Sequence, residues 1–159
     1  MEYQVHVEQV ASQLTAVVRR RAKQAELSTV VPQACGEVWS YIRSSPILHP
    51  GRNLALYLDG AINLEVGVEV AQSFEGNGNV VCSRTPAGTV VTTAHFGPYN
   101  RLHGAHNALC QWCKENGYAV PGINWEIYGH WDDDPAKLRT DVYFLLQAAA
   151  VSKLSEPGA

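Results

Sequence analysis

The chain repeats itself. Asn53-Leu54-Ala55-Leu56-Tyr57 and Asn124-Trp125-Glu126-Ile127-Tyr128 fall in the same slot of two successive runs of strand, strand, helix, strand, strand. Glu65-Val66 in the first run lies where Asp141-Val142 lies in the second, and Asp132-Asp133-Asp134-Pro135 is an insertion between strands of the second copy. Two copies of one unit predict a pseudo-twofold axis. With short connections throughout, the economical arrangement is an α+β fold: an antiparallel sheet with two main helices on one face, the other face being left to line a cleft.

Hydrophobic periodicity supplies the elements. Tyr3-Val10 and Thr15-Ala22 alternate as strands, the second carrying Arg19-Arg20-Arg21, which is read as solvated strand charge. Cys35, Val38, Trp39 and Ile42 recur at helical spacing, with Pro32 suited to the first turn. Pro46 and His49-Pro50-Gly51 break that helix, and Asn53-Asp59 and Ile62-Val70 follow as strands joined by a tight turn at Asp59-Gly60. Beyond the turn Gly76-Asn79, Val80-Thr85 and Thr89-Phe96 read as a strand pair. A helix then runs to Asn116, stopped by Gly117, and Asn124-Trp131 and Leu138-Gln147 are the last strands. The expected organisation is a single domain over 1–151, with halves of about 1–75 and 76–151, and a disordered small, polar tail over 152–159.

Composition narrows the function classes. Apolar residues make up 46% of 159 positions, enough for one compact core. Twelve Lys and Arg against 15 Asp and Glu give a formal charge of -3, so the chain carries no basic footprint for nucleic acid. The first residues alternate polar and apolar where a signal peptide needs a continuous apolar stretch, and no run approaches a membrane span, which predicts a cytoplasmic protein. The four cysteines are then free thiols or a metal or redox pair rather than a disulfide framework.

The stretch from Val90 to Gln147 has three marked motifs. His95-Phe96-Gly97-Pro98-Tyr99 opens the second helix, Trp125-Glu126-Ile127-Tyr128 is on the next strand, and Leu138-Arg139-Thr140-Asp141-Val142 is on the last. With these motifs the chain resembles the gyrase-inhibitor-like (GyrI-like) small-molecule-binding domain, the effector-binding module of multidrug-sensing bacterial transcription activators. The resemblance implies a duplicated strand-helix-strand-strand fold over essentially the whole chain. It also implies that a carboxylate at Glu126, set among aromatic side chains, holds cationic or polar aromatic ligands. The sequence departs from the activators in having no winged-helix or helix-turn-helix segment, which implies a stand-alone protein that binds without direct gene control.

Strand alternation puts Asn124, Glu126, Tyr128 and His130 on one face and Trp125, Ile127 and Trp131 on the other, the latter expected to be helix-covered core. The matching set in the first half is Asn53, Ala55, Tyr57 and Asp59, so the duplication supplies two tyrosines, Tyr57 and Tyr128, but one central carboxylate. An ionised Glu in apolar surroundings without a partner is costly, and it therefore favours a ligand cation or takes up a proton; aromatic walls add cation–π attraction. Tyr143, Trp39, Phe96 and Tyr99 are the further wall candidates, Trp39 lying inside the apolar stripe of its helix. The expected ligand is an amphipathic, cationic aromatic small molecule, with no cofactor.

Three other readings attach to the same chain. His103, His106, Cys110 and Cys113 fall within an arc of about 80° on the second helix, a spacing that suits zinc; yet one helix seldom supplies four tetrahedral ligands, and the expectation is no metal. Some stand-alone relatives hydrolyse strained cyclopropane-bearing natural products, and by that resemblance Glu126 and Tyr128 are the candidate catalytic pair for acid or base assistance to water. Gyrase-inhibiting relatives bind another protein, which makes a protein-interaction module the further alternative, with an unknown partner.

Overall fold

The computed structural model describes residues 3–45, 49–59, 63–119, 122–129 and 133–147. Eight strands form one antiparallel sheet: β1 (His6–Val10), β2 (Leu14–Arg21), β3 (Asn53–Tyr57), β4 (Asn63–Glu69), β5 (Val81–Arg84), β6 (Gly88–Phe96), β7 (Asn124–Tyr128) and β8 (Arg139–Leu145). Helix α1 (Leu27–Arg43) lies between β2 and β3, and α2 (His103–Glu115) between β6 and β7. The repeating unit is thus strand, helix, strand, strand. Gly60 of the expected Asp59-Gly60 turn, Pro46, His130, Trp131 and the tail over 152–159 lie outside the described residues.

The strand order is β1-β6-β8-β7-β3-β4-β2-β5. Each half therefore contributes a three-stranded block, β2-β4-β3 or β6-β8-β7, and the blocks join through β3 and β7. The additional strand of each half crosses over. β1 pairs with β6 of the second half, His6 opposite Thr92, and β5 pairs with β2 of the first, Thr15 opposite Ser83. This corrects the expected pair of Val80-Thr85 with Thr89-Phe96, because β5 and β6 leave the turn at Pro86-Ala87 for opposite halves of the sheet, β5 for the edge beside β2 and β6 for the place between β1 and β8.

The register fixes the axis. In the β3–β7 pair Leu54 faces Ile127, Ala55 faces Glu126, Leu56 faces Trp125 and Tyr57 faces Asn124. Residues 55 and 126 are equivalent in the repeat and also directly opposed, so the pseudo-twofold passes between them. The outer strands obey the same symmetry, with Leu56 opposite Glu65 and Ile127 opposite Asp141. Both of these twin carboxylates hold an arginine: Arg19 Nε is 3.0 Å from Glu65, and Arg139 Nη2 is 3.0 Å from Asp141.

Both helices cover one face. α1 lays Ala34, Val38 and Ile42, one turn apart, onto Ala16, Val18, Val66 and Val68 of β2 and β4. α2 lays Ala105, Leu109 and Cys113 onto Val91, Val142 and Phe144 of β6 and β8. The central strands β3 and β7 lie between the two helices. α1 begins at Leu27, after a short 3₁₀ turn at Gln24–Glu26 in which the Glu26 carboxylate accepts the Lys23 backbone N–H at 2.8 Å. Pro32 thus sits in the second turn of α1 instead of opening it, and it withholds the N–H that the Ser28 carbonyl would otherwise accept.

On the opposite face Leu54, Leu56, Val90, Trp125 and Ile127 form a separate apolar cluster. The Trp125 and Tyr143 rings stack there at 5.3 Å and 12°. Among the described residues no helix is long and apolar enough to cross a membrane.

Candidate functional site

A cavity of about 1000 Å³ opens between α1 and α2, and its floor is the β3–β7 seam. The cleft is thus on the helix-covered face. Alternation separated the two faces of β7 correctly, but the expected assignment is reversed: Glu126 looks into the space between the helices, while Trp125 and Ile127 form core on the side that lacks them. Two helices seated over β2–β4 and β6–β8 are separated by the width of two strands, and that separation creates the opening.

Five residues of the seam pave the floor, Asn53 and Tyr57 of β3 and Asn124, Glu126 and Tyr128 of β7, with Tyr57 beside Asn124 and the buried Ala55 beside Glu126. Leu27, Val31, Pro32 and Cys35 of α1 form one wall, and His103, His106 and Cys110 of α2 the other, with Tyr99 and Phe144 at the second half's end. Among the described lining residues there is no Lys or Arg.

Glu126 is 7% exposed and has three hydrogen-bond partners. Tyr128 Oη donates to Oε1 at 2.5 Å, Tyr57 Oη donates to the same oxygen at 3.4 Å, and His106 Nε2 is 2.6 Å from Oε2. Burial first, and then the negative charge of Glu126, hold the Tyr57 and Tyr128 phenols well above their ordinary range, so both remain donors. Burial also pushes the Cys35 thiol up to about 11 and raises Tyr99 and Cys110.

Of the seven predicted site residues, four meet in the cavity: Glu126, Tyr128, Tyr57 and Tyr99, the last 43% exposed at the mouth with its ring edge-on to Tyr128 at 5.8 Å. Three do not line it. Glu126 pairs with Val142, so Val142 and Phe144 share its face and Tyr143 turns to the opposite side, against Trp125. Phe96 points away as well, 50% exposed, with the Arg139 guanidinium 5.5 Å from its ring centre. Trp39 stands behind the wall and reaches the site through Asn53, whose Oδ1 accepts its indole N–H at 2.6 Å.

His106 was legible only as a member of the zinc-spaced set on α2. That set divides: His106 turns to Glu126, His103 and Cys110 face the cavity, and Cys113 packs into the core. The His95-Phe96-Gly97-Pro98 motif shapes the approach to Tyr99. Gly97 has φ +135°, which a side chain would strain, and buried His95 is tied through Nε2 to the Pro98 carbonyl (3.1 Å) and through Nδ1 to the Tyr3 hydroxyl (2.9 Å).

Comparison with known proteins decides the family. The sequence profile of the GyrI-like small molecule binding domain matches residues 3–147. The chain belongs to that family. No curated protein sequence matches it. Among solved structures the GyrI-like fold described here is similar to the EcmrR C-terminal domain, at 24% identity and a TM-score of 0.77, covering 94% of this chain and 100% of that one. It is also similar to SAV2435 bound to tetraphenylphosphonium (13% identity, TM-score 0.58, covering 92% of this chain and 94% of that one). A third likeness is to a hydrolase from Listeria innocua (12% identity, TM-score 0.56, 91% of this chain and 92% of that one). These likenesses establish a common fold.

Proposed function

We propose that this GyrI-like domain takes up amphipathic cations carrying aromatic groups and seats their positive centre on Glu126. The observation that carries the reading is the single buried carboxylate on the pseudo-twofold axis, opposed by Ala55 where the symmetry would put its twin. No lysine or arginine neutralises it among the described lining residues; the basic group in contact with it is the imidazole of His106. The phenols of Tyr57, Tyr128 and Tyr99 offer π faces to the same cation. A cavity of about 1000 Å³ suits a bulky organic molecule, and SAV2435, of like fold, is bound to a tetraaryl cation.

Titration of tetraphenylphosphonium and a panel of cationic dyes, followed by tryptophan fluorescence, tests the reading. Saturable binding is expected. Glu126→Gln should weaken it about ten-fold or more, since the attraction between opposite unit charges about 6 Å apart is roughly 3 kcal/mol at an effective dielectric constant of about 20, and ten-fold needs about 1.4 kcal/mol. A panel that never saturates, or a Glu126→Gln protein that binds as well as the parent, overturns it.

The run His106–Glu126–Tyr128, together with the hydrolase of like fold, favours hydrolysis of cyclopropane-bearing compounds as a second reading. Glu126 would take a proton from water as the water oxygen bonds to a ring carbon. The ring C–C bond breaks, its electron pair moves into a conjugated carbonyl, and the resulting enolate takes the proton from Glu126, which is left ionised again. Mass spectrometry of the hydrated product decides it: turnover equal to the enzyme-free control, or unchanged in both Glu126→Gln and Tyr128→Phe, excludes hydrolysis.

A further inference from the structure

Asn53 and Asn124 are equivalent in the repeat, and both line the cavity on the Glu126 face. They are anchored by opposite chemistry. Asn53 Oδ1 accepts the Trp39 indole N–H at 2.6 Å, and because indole only donates, oxygen must face it; the Asn53 Nδ2 amide is left without a partner among the described residues. Asn124 Nδ2 donates to the Gly122 carbonyl at 2.9 Å, and because a carbonyl only accepts, nitrogen must face it; Asn124 Oδ1 is left without a partner among the described residues, on a side chain whose residue is 8% exposed.

The floor therefore presents a carboxylate at its centre, a free donor at the corner beside Tyr128 and a free acceptor at the corner beside Tyr57. Each corner is two residues along its strand from the axis, so it lies about 7 Å to either side at roughly 3.3 Å per residue. We infer that the site selects an elongated cation with polar arms of opposite kind: a hydrogen-bond acceptor reaching Asn53 and a donor reaching Asn124. This rests on the reading of Glu126 as the seat of the cation. An apolar occupant that displaced water from these corners would leave two polar groups unpaired, whereas a matched occupant pairs both, and buried groups of this kind discriminate more sharply than added apolar contact. The asymmetry also fixes which way round the ligand lies, although the backbone beneath it is nearly twofold symmetric.

Three phosphoniums of the same charge and core test the assignment: tetraphenylphosphonium, its 4-aminophenyl analogue with a donor arm, and its 4-acetylphenyl analogue with an acceptor arm. Each armed probe should bind about five-fold more tightly than the parent cation. Asn124→Leu should abolish the amino probe's advantage and keep that of the acetyl probe. Asn53→Asp, which retains an oxygen for Trp39 but removes the donor, should do the reverse. Ratios are taken against tetraphenylphosphonium on the same variant, so changes in overall affinity cancel, and Asn124→Ala and Asn53→Ala replace any variant that fails to fold. Armed probes that bind no better than the parent, or whose advantage survives both substitutions, overturn the corner assignment and leave the cation reading standing. Failure of all three phosphoniums to bind the unaltered protein overturns both.

Discussion

Glu126→Gln should raise the stability of the ligand-free protein while abolishing its preference for cations. In the parent, a carboxylate with 7% exposure is held by two phenols and an imidazole. Bonds to a charged acceptor contribute about 1.5–3 kcal/mol each, against about 0.5–1.5 for a neutral one. The 3.4 Å contact from Tyr57 counts for little, so the amide forfeits roughly 2–3 kcal/mol over the two short bonds. Against this, an ion withdrawn from water carries a penalty of about several kcal/mol, which the amide escapes. The amide oxygen still serves Tyr128, and the amide NH2 donates to His106 Nε2 once the imidazole proton sits on Nδ1. The balance favours the variant by about 1 kcal/mol, which at roughly 2–4 °C per kcal/mol for a chain of this size is a rise of about 3 °C in Tm. Differential scanning fluorimetry at neutral pH, with and without tetraphenylphosphonium, reads both effects: a higher Tm without ligand and a smaller ligand-induced rise. A Tm at or below that of the parent would refute the reasoning, because it would make the carboxylate a structural support.

Three further outcomes are expected. Tyr57 and Tyr128 hold their protons in the folded state while unfolded phenols ionise near pH 10, so stability should be intact below about pH 10 and decline as pH rises above it; absorbance at 295 nm should show their ionisation only on unfolding, and the double Tyr→Phe variant should flatten the decline. The Cys35 thiol, pushed up to about 11, should react with iodoacetamide at pH 8 about a hundred-fold more slowly than after denaturation, and more slowly still with the cavity filled, as peptide mass spectrometry will report. Gly67→Ala should prevent folding, since a Cβ there would lie 1.8 Å from the Ala16 carbonyl oxygen of the neighbouring strand; soluble yield and circular dichroism check it.

Much of this was legible because the duplication is written in residues. The matched pentapeptides at 53 and 124 gave the two tyrosines, the lone carboxylate and its alanine twin, and β3 and β7 do pair about that point. Alternation gave the two faces of β7 but not which one the helices cover, because both faces are buried: Trp125 is as enclosed as Glu126. Tyr143 was misplaced for want of one fact, that Glu126 is opposite Val142, and cross-strand register is not encoded locally. His106 escaped because its meaning depends on a side chain 20 positions away on another element. The crossing of β1 and β5 left no trace in periodicity, which reports a strand's faces and not its neighbours.

That crossing governs how the chain must acquire its structure. β1 cannot be paired until β6 exists, residue 6 having to wait for residue 92, and the free edge of β2 stays bare until residue 84 has arrived. At about 5–20 residues per second on a ribosome, the first strand is without its partner for roughly 4–17 s. Contacts so distant in sequence close large loops, which slows folding. Neither half can finish its own sheet without the other, and the seam carrying Glu126 cannot close before residue 127 has been made.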